Sequence, residues 1–330
     1  MDAIKVNMLT KDYRTKVKGE GLMQSVHSLF RPEYREVRAV DEITFSVAPG
    51  EMLAFIGPNG AGKSTAIKML TGILQPTGGH MRVLGLDPAK QRRELASRIG
   101  TVFGQRSQLW LHLPPVDSFA MLGAIYGIDD ATRKKRVDEL AQRFELTEFL
   151  RTPVRRLSLG QRIRCEIAAS LLHEPQLLFL DEPTIGLALL AQQHIRESLA
   201  EQNRERGVTV VLTSHDPSDV EEICRRAIVI DRGRIILDRP IGELKTDYFH
   251  RKTISVRYAG AVTGPMPSLP GAVICGNGTE RTVTLDTRLC SAAEAIHTFS
   301  ALGSVADITV TDPPMEPVIS DIFRRKGELP

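Results

Sequence analysis

Residues 57–65, Gly57-Pro58-Asn59-Gly60-Ala61-Gly62-Lys63-Ser64-Thr65, carry three glycines, a lysine and two hydroxyls between two kinds of apolar run. Met52-Leu53-Ala54-Phe55-Ile56 precedes them with strand character, and Thr65-Ala66-Ile67-Lys68-Met69-Leu70 follows with helical character. The chemistry implied is phosphate binding. Glycines permit the sharp turn and let backbone N–H groups face an anion. A helix starting at the loop adds the positive end of its dipole. Lys63 would place a point charge on the β- and γ-phosphates of a triphosphate, and the Ser64 hydroxyl would complete the coordination of Mg2+. Asn59 and Thr65 belong to the same nucleotide-contacting stretch. Without that context, the string would read as a glycine-rich turn with no ligand.

Spending a nucleotide takes acids as well. Leu177-Leu178-Phe179-Leu180 runs into Asp181-Glu182, the pattern of a buried parallel strand that delivers two carboxylates at its C-terminal end. Asp181 would hold Mg2+ through water and Glu182 would polarise the attacking water. Between the two motifs lies Leu157-Ser158-Leu159-Gly160-Gln161, followed by apolar residues at 163, 167, 168, 171 and 172 that fit one helical face. Ser158 suits an N-cap, Gly160 permits close approach of a ligand, and a free helix N-terminus attracts an anion.

That string resembles the L-S-G-G-Q signature of the ATP-binding cassette (ABC) family, and the resemblance extends over residues 1–240. It implies a P-loop NTPase α/β cassette with a helical subdomain, here followed by a small C-terminal α+β domain. Further positions match the family one at a time. Gln105 stands at the glutamine that touches Mg2+ and the attacking water. His215, after the strand-like run 208–211, resembles the switch histidine at the γ-phosphate. Tyr13 occupies the place of the aromatic that stacks on adenine, with a core-edge tyrosine as its other reading. In the family, Ser158, Gly160 and Gln161 of one subunit complete the ATP site of another, so two ATPs lie between head-to-tail subunits. Ala188 departs from the family, which commonly has an aspartate there that couples the two sites. Its methyl group cannot accept a hydrogen bond, and weaker coupling or slower turnover is expected. Leu159 in place of glycine is a milder change.

The composition fits an intracellular, soluble enzyme of more than one domain: 330 residues, 42% hydrophobic, 25% charged, net charge +3. Cys165, Cys224, Cys275 and Cys290 are scattered without a C-x-x-C pair, which suggests neither a metal site nor a disulfide framework. The first residues lack the apolar core of a signal peptide, and no run approaches the ~20 apolar residues that span a bilayer. The resemblance therefore implies separately encoded transmembrane permease subunits, a second ATPase subunit, and a peripheral position on the cytoplasmic face of the inner membrane.

Two elaborations stand out. Residues 14–38 hold six Lys or Arg against three Glu, with Leu22, Val26, Leu29 and Phe30 at helical spacing. The segment is either a solvated insert or a basic amphipathic piece lying on the membrane or the permease. Residues 106–156 are expected to form the helical subdomain, with 133–150 as its clearest helix. Trp110, the only tryptophan, is either an interface anchor or core filling. These features resemble a subgroup of bacterial exporters for anthracyclines, viologens or sodium. Beyond residue 240, strand-like stretches at 253–258, 281–286 and 305–310 with a helix at 291–302 read as an accessory α+β domain closed by a helix near 316–325. Nine basic and ten acidic residues in 240–330 offer no basic face for nucleic acid. A soluble ABC ATPase acting on ribosomes or DNA fits poorly, because the chain has one phosphate-loop string and no long coiled-coil insertion. An importer ATPase subunit is the third reading.

Overall fold

A computed structural model of the protein describes residues 2–16, 34–104, 107–214, 217–248, 251–262, 267–276, 278–311 and 322. They fall into two compact units, Met1–Asp238 and Arg239–Pro330. The first unit opens with β1 (Ile4–Lys16) and β2 (Tyr34–Val47), an antiparallel pair whose register runs from Ile4 opposite Val47 to Lys16 opposite Tyr34. Both ends of the expected 14–38 insert are thus paired strand, and the apolar set at 22, 26, 29 and 30 lies outside the described residues.

β3 (Met52–Ile56) is buried along its whole length and leads through the glycine loop into α1 (Lys63–Leu70). β4 (Gly78–Val83) returns to the other edge of β1, and α2 (Arg92–Ala96) precedes β5 (Ile99–Phe103). Two helices follow, α3 (Pro115–Ile125) and α4 (Asp130–Arg143), in the region expected to be helical. α4 begins and ends earlier than the expected 133–150. The Asp129 side chain accepts from the Thr132 N–H and caps it, and after Arg143 the buried Phe144, Leu146 and Phe149 draw the chain into the core. α5 (Leu159–Leu171), β6 (Leu177–Asp181), α6 (Leu189–Arg206), β7 (Thr209–Ser214), α7 (Pro217–Ile223), β8 (Arg226–Asp231) and β9 (Arg234–Pro240) complete the unit.

The six-stranded sheet has the order β5-β6-β7-β3-β8-β9, with β5, β6, β7, β3 and β8 mutually parallel. Strands covered on both faces need apolar side chains throughout, which is why 52–56 and 177–180 read as unbroken runs rather than alternating ones. Leu177, Leu178, Phe179 and Leu180 are all fully buried. Parallel pairing also brings Ile56, Asp181 and Ser214, the last residues of β3, β6 and β7, to one end of the sheet, where ligands of open α/β sheets bind.

The second unit contains α8 (Ile241–Tyr248), β10 (Arg251–Tyr258), β11 (Ala272–Cys275), β12 (Glu280–Asp286), α9 (Ala292–Ser300) and β13 (Val305–Thr311). Its antiparallel sheet has the order β11-β12-β10-β13. Ile254, Val256, Val283 and Leu285 pack with Ala295 and Phe299 of α9 in its core, and Ser291 caps α9 through a reciprocal box with Glu294. β11 was not expected: four residues between Gly271 and Gly276 carry too little periodicity to read as a strand. The expected helix at 316–325 falls outside the described residues except for Ile322. Among the described residues, no helix is long and apolar enough to cross a membrane.

Candidate functional site

The loop after β3 is shaped by close backbone approach. A Cβ on Gly57 would lie 2.3 Å from the Ile230 carbonyl oxygen, and one on Gly62, whose φ is +109°, would lie 2.5 Å from that of Ala39. Only glycine fits at either position. Gly62 also stands at the N-cap of α1 without a side-chain cap, and the first turn holds no acid. The early N–H groups and the positive helix end thus face the loop with no acid in their own turn.

Lys63, only 5% exposed, donates through Nζ to the carbonyls of Gly57 (2.6 Å) and Pro58 (3.2 Å). Burial pushes its ammonium below the ordinary lysine range, against the pull of the Glu182 and Asp181 carboxylates. Its neighbour Ser64 donates through Oγ to Asp181 Oδ1 at 3.1 Å. A hydroxyl and a carboxylate oxygen converging beside a lysine form the hard-oxygen donor set that suits Mg2+ with phosphate. Asp181 is anchored by the Gly104 N–H on its carbonyl at 3.1 Å. Glu182 follows with φ +54°, a left-handed conformation that is costly for a residue with a Cβ and that concentrates at working sites.

Thr213, which sequence reasoning passed over, joins the two acids. Its hydroxyl, fully buried at the end of β7, donates to Asp181 Oδ1 at 2.6 Å and accepts the Glu182 N–H at 3.0 Å. The available signal was a polar residue closing an apolar strand, and its partners lie about 30 residues away in sequence.

The structure therefore brings Gly57, Gly60, Gly62, Lys63, Ser64, Asp181 and Glu182 to one end of the parallel sheet. Tyr13 lies on β1 opposite Val37, 37% exposed, with Lys11 Nζ 5.3 Å from its ring centroid, so it does not fill a core. Gln105 and His215 lie outside the described residues. Ser158, Gly160 and Gln161 open α5. The Ser158 hydroxyl accepts the Gln161 N–H (3.2 Å), and Gln161 Oε1 accepts the Ser158 N–H (2.9 Å), a capping box. Among the described residues, none of the three hydrogen-bonds to the 57–65 loop. Ala188 is the N-cap of the 18-residue α6 and supplies no side-chain cap. Around it Ile185 (48%), Leu189 (80%), Leu190 (74%) and Leu159 (41%) are exposed.

A cavity of about 670 Å³ lined by Leu84, Leu171, Gln176, Gln202 and Thr209 sits at the opposite, N-terminal ends of β6 and β7 and takes no part in this chemistry. Trp110, 37% exposed beside the buried Leu109, does not fill the subdomain core.

Comparison with known proteins agrees with this geometry. Residues 40–185 match the model of the ABC transporter family. The chain is 30% identical over 229 residues to the ABC transporter ATP-binding protein NatA of Bacillus subtilis, covering 69% of this chain and 92% of that protein. It is 33% identical over 260 residues to the daunorubicin resistance ATP-binding protein DrrA3 of Streptomyces coeruleorubidus, covering 78% and 79%. Among solved structures, the dimeric post-hydrolysis state of the ATP-binding cassette MJ0796 bound to ADP and Pi aligns with TM-score 0.62 and 26% identity over 72% of this chain and 98% of that one.

Proposed function

The chain belongs to the ABC transporter family of ATP-binding proteins, and from that premise we propose that it hydrolyses ATP to power a membrane exporter, working as one of two head-to-tail ATPase subunits. The observation that carries the reading is the convergence of Lys63, Ser64, Asp181 and Glu182 at the C-terminal end of the parallel sheet. Gly57, Asn59, Gly60 and Gly62 wrap the phosphates in backbone N–H groups, with Thr65 at the start of α1. Lys63 trades its loop carbonyls for the β- and γ-phosphate oxygens, a charge-assisted exchange. Tyr13 offers its exposed face to adenine.

Ser64 and Asp181, with Gln105, would hold Mg2+. When bound, the ion neutralises charge developing on the transferred phosphoryl group. Glu182 accepts a proton from the attacking water, and its own N–H is held by both the hydroxyl and the carbonyl of Thr213. His215 contacts the γ-phosphate. Ser158, Gly160 and Gln161 act on the partner's nucleotide, in keeping with the absence, among the described residues, of any hydrogen bond from them to the 57–65 loop.

Partner permease subunits would dock on the 106–156 region, where Trp110, Leu111, Met121 and Ile125 are exposed apolar side chains. The chain would then sit at the cytoplasmic face of the inner membrane as a peripheral subunit. Export is favoured over import by the similarity to a relative named for daunorubicin resistance. Mg-dependent ATPase of the purified chain, compared with Glu182→Gln, tests the chemistry. Co-purification with the products of neighbouring membrane-protein genes tests the export role. Capture of a periplasmic-binding-protein system instead would point to import.

A further inference from the structure

Asp219 of α7 is fully buried, and its partner Arg196 of α6 is only 7% exposed. Arg196 Nε lies 3.1 Å from Asp219 Oδ1, and its Nη1 reaches Glu222 at 2.6 Å. The second oxygen of Asp219 accepts two hydroxyls, from Thr184 and, at 2.9 Å, from Ser214. Thr184 begins the loop that leads to Ala188, and Ser214 is the residue before His215. Arg196 also donates through Nη2 to Gln192 Oε1 at 3.0 Å, and Gln192 Nε2 donates to the Thr184 carbonyl at 3.3 Å. Thr184 is held by its hydroxyl and its carbonyl, from α7 and α6 respectively.

Burying an ion pair is costly, and stability alone is served as well by apolar packing. Here the pair stands between the two segments that leave the ends of β6 and β7, with Glu182 at the start of one and His215 in the other. At the far end of the 184–188 loop, Ala188 gives α6 no side-chain cap. The hold on the loop comes from its Thr184 end.

We infer that Asp219 is a positioning residue that ties the 184–188 loop to Ser214 at the end of β7, so that the loop bearing Ala188 keeps its place against β7 during the ATPase cycle. This rests on the ATPase reading above for its kinetic consequence but not for its structural one. The test compares Thr184→Val, nearly isosteric and still leaving Ser214 on Asp219, with Asp219→Asn and Thr184→Ser.

Hydrogen exchange should quicken about 10-fold at residues 184–192 in Thr184→Val and Asp219→Asn, the scale of one hydrogen bond to a charged acceptor, with α1 unchanged. The kcat for Mg-ATP should fall about 10-fold with KM held within about 2-fold, and Thr184→Ser should restore both. Unchanged exchange at 184–192 in Thr184→Val would overturn the inference. So would a kcat loss matched by a rise in KM and not rescued by serine. A wild-type chain that binds but never hydrolyses ATP would defeat the functional reading, and the exchange data alone would then decide for or against the tie.

Discussion

The phosphate end of the sheet and the 185–190 surface are built in opposite ways. At the first, buried and half-buried polar side chains are interlocked: Lys63 on loop carbonyls, Ser64 and Thr213 on Asp181, Thr213 on the Glu182 amide. At the second, Ile185, Leu189 and Leu190 stand exposed at an uncapped helix start. Buried polar groups are stable only when satisfied, so the first region is organised within one chain. Exposed apolar side chains clustered at one helix end are characteristic of a surface that is covered by a partner. On the reading proposed above, the contrast divides the labour: one chain prepares the phosphate chemistry, and a second subunit would complete the site.

Substitutions can break that contrast from either side. The largest effect is expected from Glu182→Gln, which should lower Mg-ATP hydrolysis about 10²-fold or more while leaving ATP binding intact, as read by steady-state kinetics and calorimetry. Lys63→Met should weaken ATP about 10- to 100-fold, the cost of one charged hydrogen-bond donor, with the dimer surface untouched. On the other side, Leu189→Glu with Leu190→Glu in the Glu182→Gln background should raise the dissociation constant of the ATP-bound dimer about 10-fold by analytical ultracentrifugation, without changing ATP affinity of the monomer.

Thr213→Val should lower kcat by about 10-fold and cost about 1–3 kcal/mol of stability, because the Asp181 carboxylate loses a donor, while the Glu182 N–H keeps the Thr213 carbonyl at 3.1 Å. Ala188→Asp sharpens the comparison with the smallest change. A carboxylate at the N-cap should stabilise α6 by about 0.5–2 kcal/mol in thermal melts. It should also raise turnover or cooperativity if the missing carboxylate weakens coupling, and an unchanged ATPase rate and cooperativity would count against that coupling role.

Much of the first region was legible in sequence because its parts are local. The strand 52–56, the glycine loop, the start of α1 and the run 177–182 each announce themselves within a few residues, and parallel pairing then forces their ends together. Ser158 was legible as an N-cap for the same reason, since its bond to the Gln161 N–H closes within one turn. What stayed hidden depends on partners far along the chain. Thr213 matters through Asp181, and Asp219 through Thr184, 35 residues apart. The exposure of Leu189 and Leu190 could not be read from their types, which resemble core residues. The start of α4 was missed because the Asp129 cap outweighed apolar periodicity in setting the boundary.

The most direct test is Mg-dependent ATP hydrolysis by the purified chain over a range of protein concentrations, with Glu182→Gln as control and light scattering for mass. The division of labour predicts a rate that rises more than linearly with protein, vanishes in Glu182→Gln, and accompanies an ATP-trapped mutant dimer. Hydrolysis strictly proportional to protein, by a species that keeps monomer mass with ATP bound, would contradict it.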